Sequence, residues 1–240
     1  MATFNVHWGR GWGRGRGRPY VPFDVASACA TLEADVIVLQ ESWAPDDAPS
    51  QHGATAAALG MDLVAESLGR SVLDPAPKVV GPASDRSTGR GEWCVAVLAR
   101  AAITARPTAR LPPLRLDRVD RVLLAVDLDV DGSPLTVIGT HFSHLEFGSA
   151  FHTGPLRRGL PPTDRPAVFL GDMNMWGWCI SAMVPRGWTR VGQGKTWPAH
   201  RPHSRIDHVL LAGGVTEVWS DVSPNLGSDH RAVRARIRIP

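Results

Sequence analysis

The chain has 240 residues, 43% of them hydrophobic and 20% charged, with a formal net charge of +3. Such totals suit a globular chain that can bury a substantial core, and they exclude a disordered or highly charged one. No apolar run reaches the ~18 residues of a membrane span. The start MATFNVHWG lacks the basic and apolar regions of a leader, so neither a span nor a signal peptide is expected.

Three cysteines, Cys29, Cys94 and Cys179, stand far apart with no CxxC spacing. That argues against a disulfide framework or zinc knuckle and suits a reducing compartment, so a cytoplasmic location is expected. The mild positive charge permits anionic partners without requiring them.

In chain order, TFNVHW alternates and runs into glycine, which predicts a strand. The stretch GRGWGRGRGRPY, residues 9–20, then sets Arg10, Arg14, Arg16 and Arg18 among glycines. FDVASACATLEA has helical spacing and predicts a helix over 22–32, whereas VIVLQE is a β-branched run that reads as a buried strand. A second helix is expected over 51–60. Strands follow at DLVAESL, EWCVAVLAR, RVLLAVDLDV, PLTVIGTH and PAVFLGD, then a short helix around 178–184, then strands at IDHVLLA, VTEVWS and HRAVRARIRI.

Asp-Gly between RVLLAVDLDV and PLTVIGTH predicts a hairpin, and Gly-Gly between IDHVLLA and VTEVWS predicts another. Residues 70–91 and 153–166 read as long loops. Without a repeat or a linker, residues 1–240 are read as one domain. Many strands with few helices point to an α+β fold, its sheets face to face and its helices outside.

The strand ends carry the chemistry. TFN ends in Asn5, VIVLQE in Glu41, VIGTH in His141, and VFLGDMN in Asp172 and Asn174; RID opens a strand with Asp207, and GSDH supplies Asp229 and His230. Singly these are ordinary: a turn asparagine, a solvated glutamate, a satisfied histidine. Jointly they are an ordered set of metal-capable and proton-transfer groups that one sheet edge can gather.

The segments TFNVHWG, VIVLQES, GTHFSH, FLGDMN, SRIDHVLL and GSDHRAV, in this order from residue 3 to about 237, resemble the endonuclease/exonuclease/phosphatase superfamily of deoxyribonuclease I-like phosphoesterases. The resemblance implies a four-layer α/β/β/α sandwich. It also implies a Mg²⁺-dependent enzyme, with Mn²⁺ as an alternative, that hydrolyses a phosphodiester or phosphomonoester by in-line attack of an activated water. Glu41 then corresponds to the central metal ligand, with Asn5 and Asp229 on the metal side. Asp207 pairs with His230, Asp172 orients or deprotonates the water, and Asn174 donates to a phosphoryl oxygen; either Asp172 or His230 can be the base. His141 takes a phosphate-contact or leaving-group position, with Glu92 a candidate carboxylate partner.

Thr196 and Arg205, before and within SRID, match a substrate-side loop and are candidate phosphate or rim contacts. Arg10, Arg14, Arg16 and Arg18 begin only a few residues beyond Asn5, and guanidinium groups bind phosphate well. Trp8 and Trp12 are candidates to stack on bases or to form an apolar rim. Of the remaining histidines, His144, His200, His203 and His208 read as solvated loop residues. One departure stands out: EFGSAFHTGPLRRGLPP places Gly154 and Pro155 where relatives carry a helix, so this wall of the site is expected to be remodelled.

A nucleic-acid substrate is slightly favoured by the arginine stretch. A phospholipid or small phosphorylated metabolite comes next, and a non-catalytic nucleic-acid-binding module is the rival from another class. No obligate protein partner is evident.

Overall fold

The computed structural model describes residues 1–11, 21–72, 90–115, 117, 119–144, 146 and 148–240. The elements in chain order are β1 (Ala2–Asn5), β2 (Arg10–Gly11), β3 (Val21–Pro22), α1 (Val25–Ala30), β4 (Val36–Pro45), α2 (Gln51–Leu59), β5 (Asp62–Val72), β6 (Arg90–Ala99), β7 (Ile103–Ala105) and β8 (Ala109–Leu111). They continue with β9 (Arg121–Val130), β10 (Ser133–His141), α3 (Thr153–Gly159), β11 (Ala167–Asp172), α4 (Gly177–Met183), β12 (Thr189–Val191), β13 (Asp207–Ala212), β14 (Thr216–Val222) and β15 (Val233–Arg238).

Alternation along β4 sets the layering. Val36 and Val38 point into a core shared with Val122, Leu124, Val137 and Leu170 of the opposite sheet, while Ile37 and Leu39 pack outward with Ala28 and Cys29 of α1 and Ala56 of α2. The second sheet behaves likewise: Phe169 and Leu210 turn outward to Leu156 of α3 and Ile180 of α4. Both faces of each central strand are therefore covered, and the result is the expected α+β four-layer sandwich. Gly139 lies where the sheets approach closely, since a Cβ there would stand 2.7 Å from Val38 Cγ1.

Among the described residues, the first sheet runs β14-β15-β1-β4-β6-β5 and the second β12-β13-β11-β10-β9-β7, with β8 also paired to β9. β9 and β10 form the hairpin expected at Asp131-Gly132. The Gly213-Gly214 hairpin does not form. β13 pairs with β11 and β12 in one sheet, whereas β14 pairs with β15 in the other, so this turn carries the chain across the sandwich. Gly213 makes the crossing with φ 66 in a position where a Cβ would meet Arg165 O at 1.9 Å.

α3 is a second correction, because the sequence reading left 153–166 as a loop. Pro155 falls in its first turn, where the missing N–H has no helical partner to lose. Leu156 is fully buried, and the Arg157 guanidinium donates to the carbonyls of Met183 and Ala182 at the end of α4, both at 2.9 Å. The cysteines are unpaired; Cys29 and Cys94 are buried, and burial pushes both thiols up to about 12. Among the described residues no helix is long and apolar enough to cross a membrane.

Candidate active site

Strand register brings the polar strand ends together. β1 and β4 run parallel with Asn5 opposite Gln40, and β10 and β11 run parallel with His141 opposite Asp172. β13 runs antiparallel to β11, which sets Asp207 opposite Asp172. The two sheets meet at this edge: Asn5 Nδ2 donates to Asp172 Oδ2 at 2.9 Å and to Glu41 Oε1 at 3.2 Å. Asp229 and His230 arrive from the turn before β15, where Ser228 Oγ donates to the Asn5 carbonyl at 2.7 Å.

The backbone bends to aim these groups. The β4–β6 ladder shifts register between Leu39 and Ser42, and Glu41 within that bulge has φ 54. Asn174, His7 and Trp8 also sit in the left-handed region, at φ 49, 43 and 54. Each such non-glycine residue costs roughly 1–2 kcal/mol, and their gathering at one edge is the pattern of a site held by its surroundings.

His230 bridges two carboxylates. Its Nδ1 lies 3.0 Å from Asp207 Oδ2, and its Nε2 lies 3.7 Å from Asp172 Oδ2. Burial alone would lower its pKa, but Asp207, Asp172 and Asp229 together hold it well above the ordinary value. Burial and the neighbouring Asp207 raise Asp172 to about 7, against the opposing pull of His230.

His141 is buried behind this group, and burial with the Arg121 and His230 charges holds its pKa well below the usual range. Asn174 Nδ2 donates to the Phe142 carbonyl at 2.8 Å and lies 3.1 Å from His141 Nε2. Both amide hydrogens are thereby engaged, so His141 Nε2 accepts and the expected donation from Asn174 to a phosphoryl oxygen is not what this arrangement provides. Sequence reasoning missed the support beneath: Arg121 Nη1 donates to the His141 carbonyl at 3.2 Å, and its Nε donates to Asp117 Oδ2 at 2.7 Å. Burial works against the Asp117 charge, but Arg121 and Ser143 outweigh it and lower the pKa. An arginine opening the apolar run VLLAV was the available signal.

These groups open into a cavity of about 630 Å³ whose lining includes Glu41, Asp172, Asn174, Asp229 and His230. Trp8, Trp93, Trp176 and Trp197 form much of the remaining wall. Of these only Trp8 was singled out from sequence.

The sequence profile of the Endonuclease/Exonuclease/phosphatase family matches residues 2–230. The chain belongs to this family. Its members are hydrolases that act on phosphoester bonds and depend on a divalent metal. No curated protein matches the sequence. Among solved structures, an endonuclease/exonuclease/phosphatase from Beutenbergia cavernae aligns with TM-score 0.70 at 21% identity over 99% of this chain and 70% of its own. A family protein from Leptotrichia buccalis gives 0.69 at 14% identity over 99% and 98%. A mannosyl-6-phosphatase from Bacteroides thetaiotaomicron gives 0.57 at 15% over 90% and 89%. At these identities the likeness is one of fold.

The residues present fit a divalent cation of the kind this family uses. Glu41 Oε2 is buried and meets no hydrogen-bond partner among the described residues. Burial raises the Glu41 pKa and Asp229 adds to the rise, while His7, His230 and the Asn5 amide pull the other way. Ligand atoms of Asp172, Asp207 and His230 also lie within 4.8 Å of one another. In that trio, however, His230 is already paired through Nδ1, which suits proton and charge handling better than ligation.

Other expected contacts fall elsewhere. Thr196 is fully buried and its Oγ1 accepts from the amides of Ile206 and Asp207 at 3.3 and 3.4 Å, making it a strut for the start of β13. Arg205 donates to the Val191 and Gly192 carbonyls and lines a separate hollow with Arg190 and Glu217. Glu92 stands 3.7 Å from Arg70, while His141 Nδ1 has no partner among the described residues. His208 is fully buried, its Nε2 donating to the Met175 carbonyl at 2.9 Å, so it is no loop histidine; His144 lines the cavity. The Arg10 carbonyl accepts from His7 Nδ1 at 2.7 Å, and its side chain is not part of the described cavity wall. Arg14, Arg16, Arg18 and Trp12 lie outside the described residues.

Proposed function

We propose that the protein is a Mg²⁺-dependent phosphoric ester hydrolase in which Asp172 and His230 act on opposite parts of one reacting centre. The observation that carries this reading is the bridge itself: one buried imidazole 3.0 Å from Asp207 and 3.7 Å from Asp172, beside a buried Glu41 oxygen that has no partner among the described residues.

Asp207 orients the His230 ring and stabilises its charged form, so that His230 presents positive charge toward phosphoryl oxygens rather than a free lone pair. That leaves Asp172 to take the proton of the attacking water, held in place by the Asn5 amide and by the Asn174 backbone N–H at 2.9 Å. His141 and Asn174 lock each other and the end of β11, acting as positioning residues. Glu41, with Asn5 and Asp229 beside it, would hold the ion, which offsets charge on the phosphoryl and leaving oxygens. Mn²⁺ suits the same oxygen donors.

A nucleic-acid substrate is a second reading, favoured by Arg10, Arg14, Arg16 and Arg18 standing so close in sequence after Asn5. Phosphate contacts of that kind give binding that weakens steeply with salt. The test is hydrolysis of bis(p-nitrophenyl) phosphate, p-nitrophenyl phosphate, DNA and RNA with Mg²⁺, Mn²⁺ or EDTA, across salt concentrations. Metal-dependent turnover that falls about 10²–10⁴-fold in Asp172→Ala is expected. Full turnover in EDTA, or normal rates in both Asp172→Ala and His230→Ala, overturns the assignment.

A further inference from the structure

The cavity wall has a chemistry that the hydrolytic centre does not require. Among the described residues neither lysine nor arginine lines it, so a ligand bearing several phosphates would find no fixed cation beyond the histidines. Instead its wall includes Trp8, Trp93, Trp176 and Trp197, together with Met175 and Ile206. The Trp8 and Trp93 rings stack with centroids 5.3 Å apart at 14°, so that side of the cavity is flat indole surface.

Trp176 is the informative member. It sits at the N-terminal boundary of α4, 53% exposed, and still lines the cavity next to Asn174 and Met175. Trp178 stacks against it with centroids 6.4 Å apart at 23°. An isolated exposed aromatic needs no explanation. An indole that is braced by a second one and forms the mouth of a catalytic cavity is a rigid face for a planar group. A cavity of about 630 Å³ has room for a single ring system with its phosphate, because pockets for small ligands span roughly 300–1,000 Å³.

We infer that the substrate is a small phosphoester carrying one planar aromatic group, which stacks on Trp176 while the phosphoryl group lies against Asp172 and His230 from the cavity side. This rests on the hydrolase reading above. A nucleobase and a simple aryl group share the required chemistry. A sugar can lay its C–H face on indole, but its hydroxyls need directional partners, and a flexible acyl chain loses rotamer freedom on ordering.

Matched pairs test it, because each keeps the same type of leaving alcohol and differs in the ring. Adenosine 5′-monophosphate is compared with ribose 5-phosphate, and benzyl phosphate with ethyl phosphate. Binding is measured by calorimetry in EDTA and KM with Mg²⁺, for the wild type, Trp176→Ala and Trp176→Phe. The aromatic member of at least one pair should bind about ten-fold more tightly, the size of one stacking contact. Trp176→Ala should abolish that advantage and Trp176→Phe should keep part of it. An advantage confined to the adenosine pair identifies a nucleobase, and one confined to the benzyl pair a smaller ring. Equal binding within both pairs, or an advantage untouched by Trp176→Ala, overturns the inference. Absence of metal-dependent turnover of any ester would instead count against the hydrolase reading, and the calorimetry still decides the stacking.

Discussion

The side-chain amide of Asn5 donates to Asp172 Oδ2 at 2.9 Å, joining residues 167 positions apart and the edges of two different sheets. The same nitrogen reaches Glu41 Oε1 at 3.2 Å. One amide therefore holds both the carboxylate proposed to act on the water and the carboxylate proposed to hold the cation.

Asn5→Ala should lower kcat about 10–100-fold, the loss typical of removing a group that orients reacting side chains. Steady-state kinetics with saturating Mg²⁺ measures it, and circular dichroism checks the fold. A kcat within twofold of wild type would show that register alone positions the two carboxylates.

Cation binding should stabilise the fold, because the buried Glu41 oxygen, without a partner among the described residues, belongs to the native state alone. Saturating the site about 100-fold above Kd stabilises by about 2.7 kcal/mol. Thermal denaturation in EDTA and in millimolar Mg²⁺ should differ by several degrees, and Glu41→Gln should remove most of the difference. An equal shift in Glu41→Gln would place the ion elsewhere.

The Arg121–Asp117 pair is expected to behave as one unit. Both side chains are buried, at 8% and 5% exposure, and Arg121 also supports the His141 carbonyl. Removing either partner of such a pair costs about 3–5 kcal/mol, because the other charge is left uncompensated. Denaturant titration of Arg121→Met, Asp117→Asn and the double variant should show the double far less damaged than the sum. The kcat of the double variant should remain low, since the support under His141 is gone in either case; additive stability losses would refute the coupling.

Acid should weaken the fold through His52. Burial lowers its pKa to about 4 from an ordinary 6.5, and its Nδ1 lies 3.1 Å from Ser42 Oγ. The unfolded chain binds the extra proton between those values, so this contribution is intact above pH 6.5 and is lost as pH falls toward 4. At 1.36 kcal/mol per unit, the loss is on the order of 2–4 kcal/mol. Urea midpoints from pH 7 to 4 should decline, and His52→Gln should flatten the decline. An unchanged slope in that variant would assign the effect to other groups, His208 first, whose pKa burial likewise lowers to about 4.

The residue types and the order of the strands were legible in the sequence. Asn5, Glu41, His141, Asp172, Asp207 and His230 each close or open an apolar run, and runs of that kind become central strands wherever the chain folds. Local signals failed where one signal serves two outcomes. Gly213-Gly214 has the chemistry of a hairpin turn, yet a turn does not specify its strands' partners; the ladder of β13 with β11 and of β14 with β15 decided that. Pro155 reads as a helix breaker until its position in the first turn is known.

By itself, then, the sequence determined which side chains were available for phosphoester chemistry and the layered class of the fold, because both follow from residue type and short-range period. Only the tertiary structure decided that Asn174 is engaged with His141 and Phe142, that Arg205 faces a separate hollow, and that four tryptophans from distant segments wall the cavity. Those are contacts between residues remote in sequence. Their geometry is set by strand register and by the packing of one sheet on the other, and no local stretch encodes either.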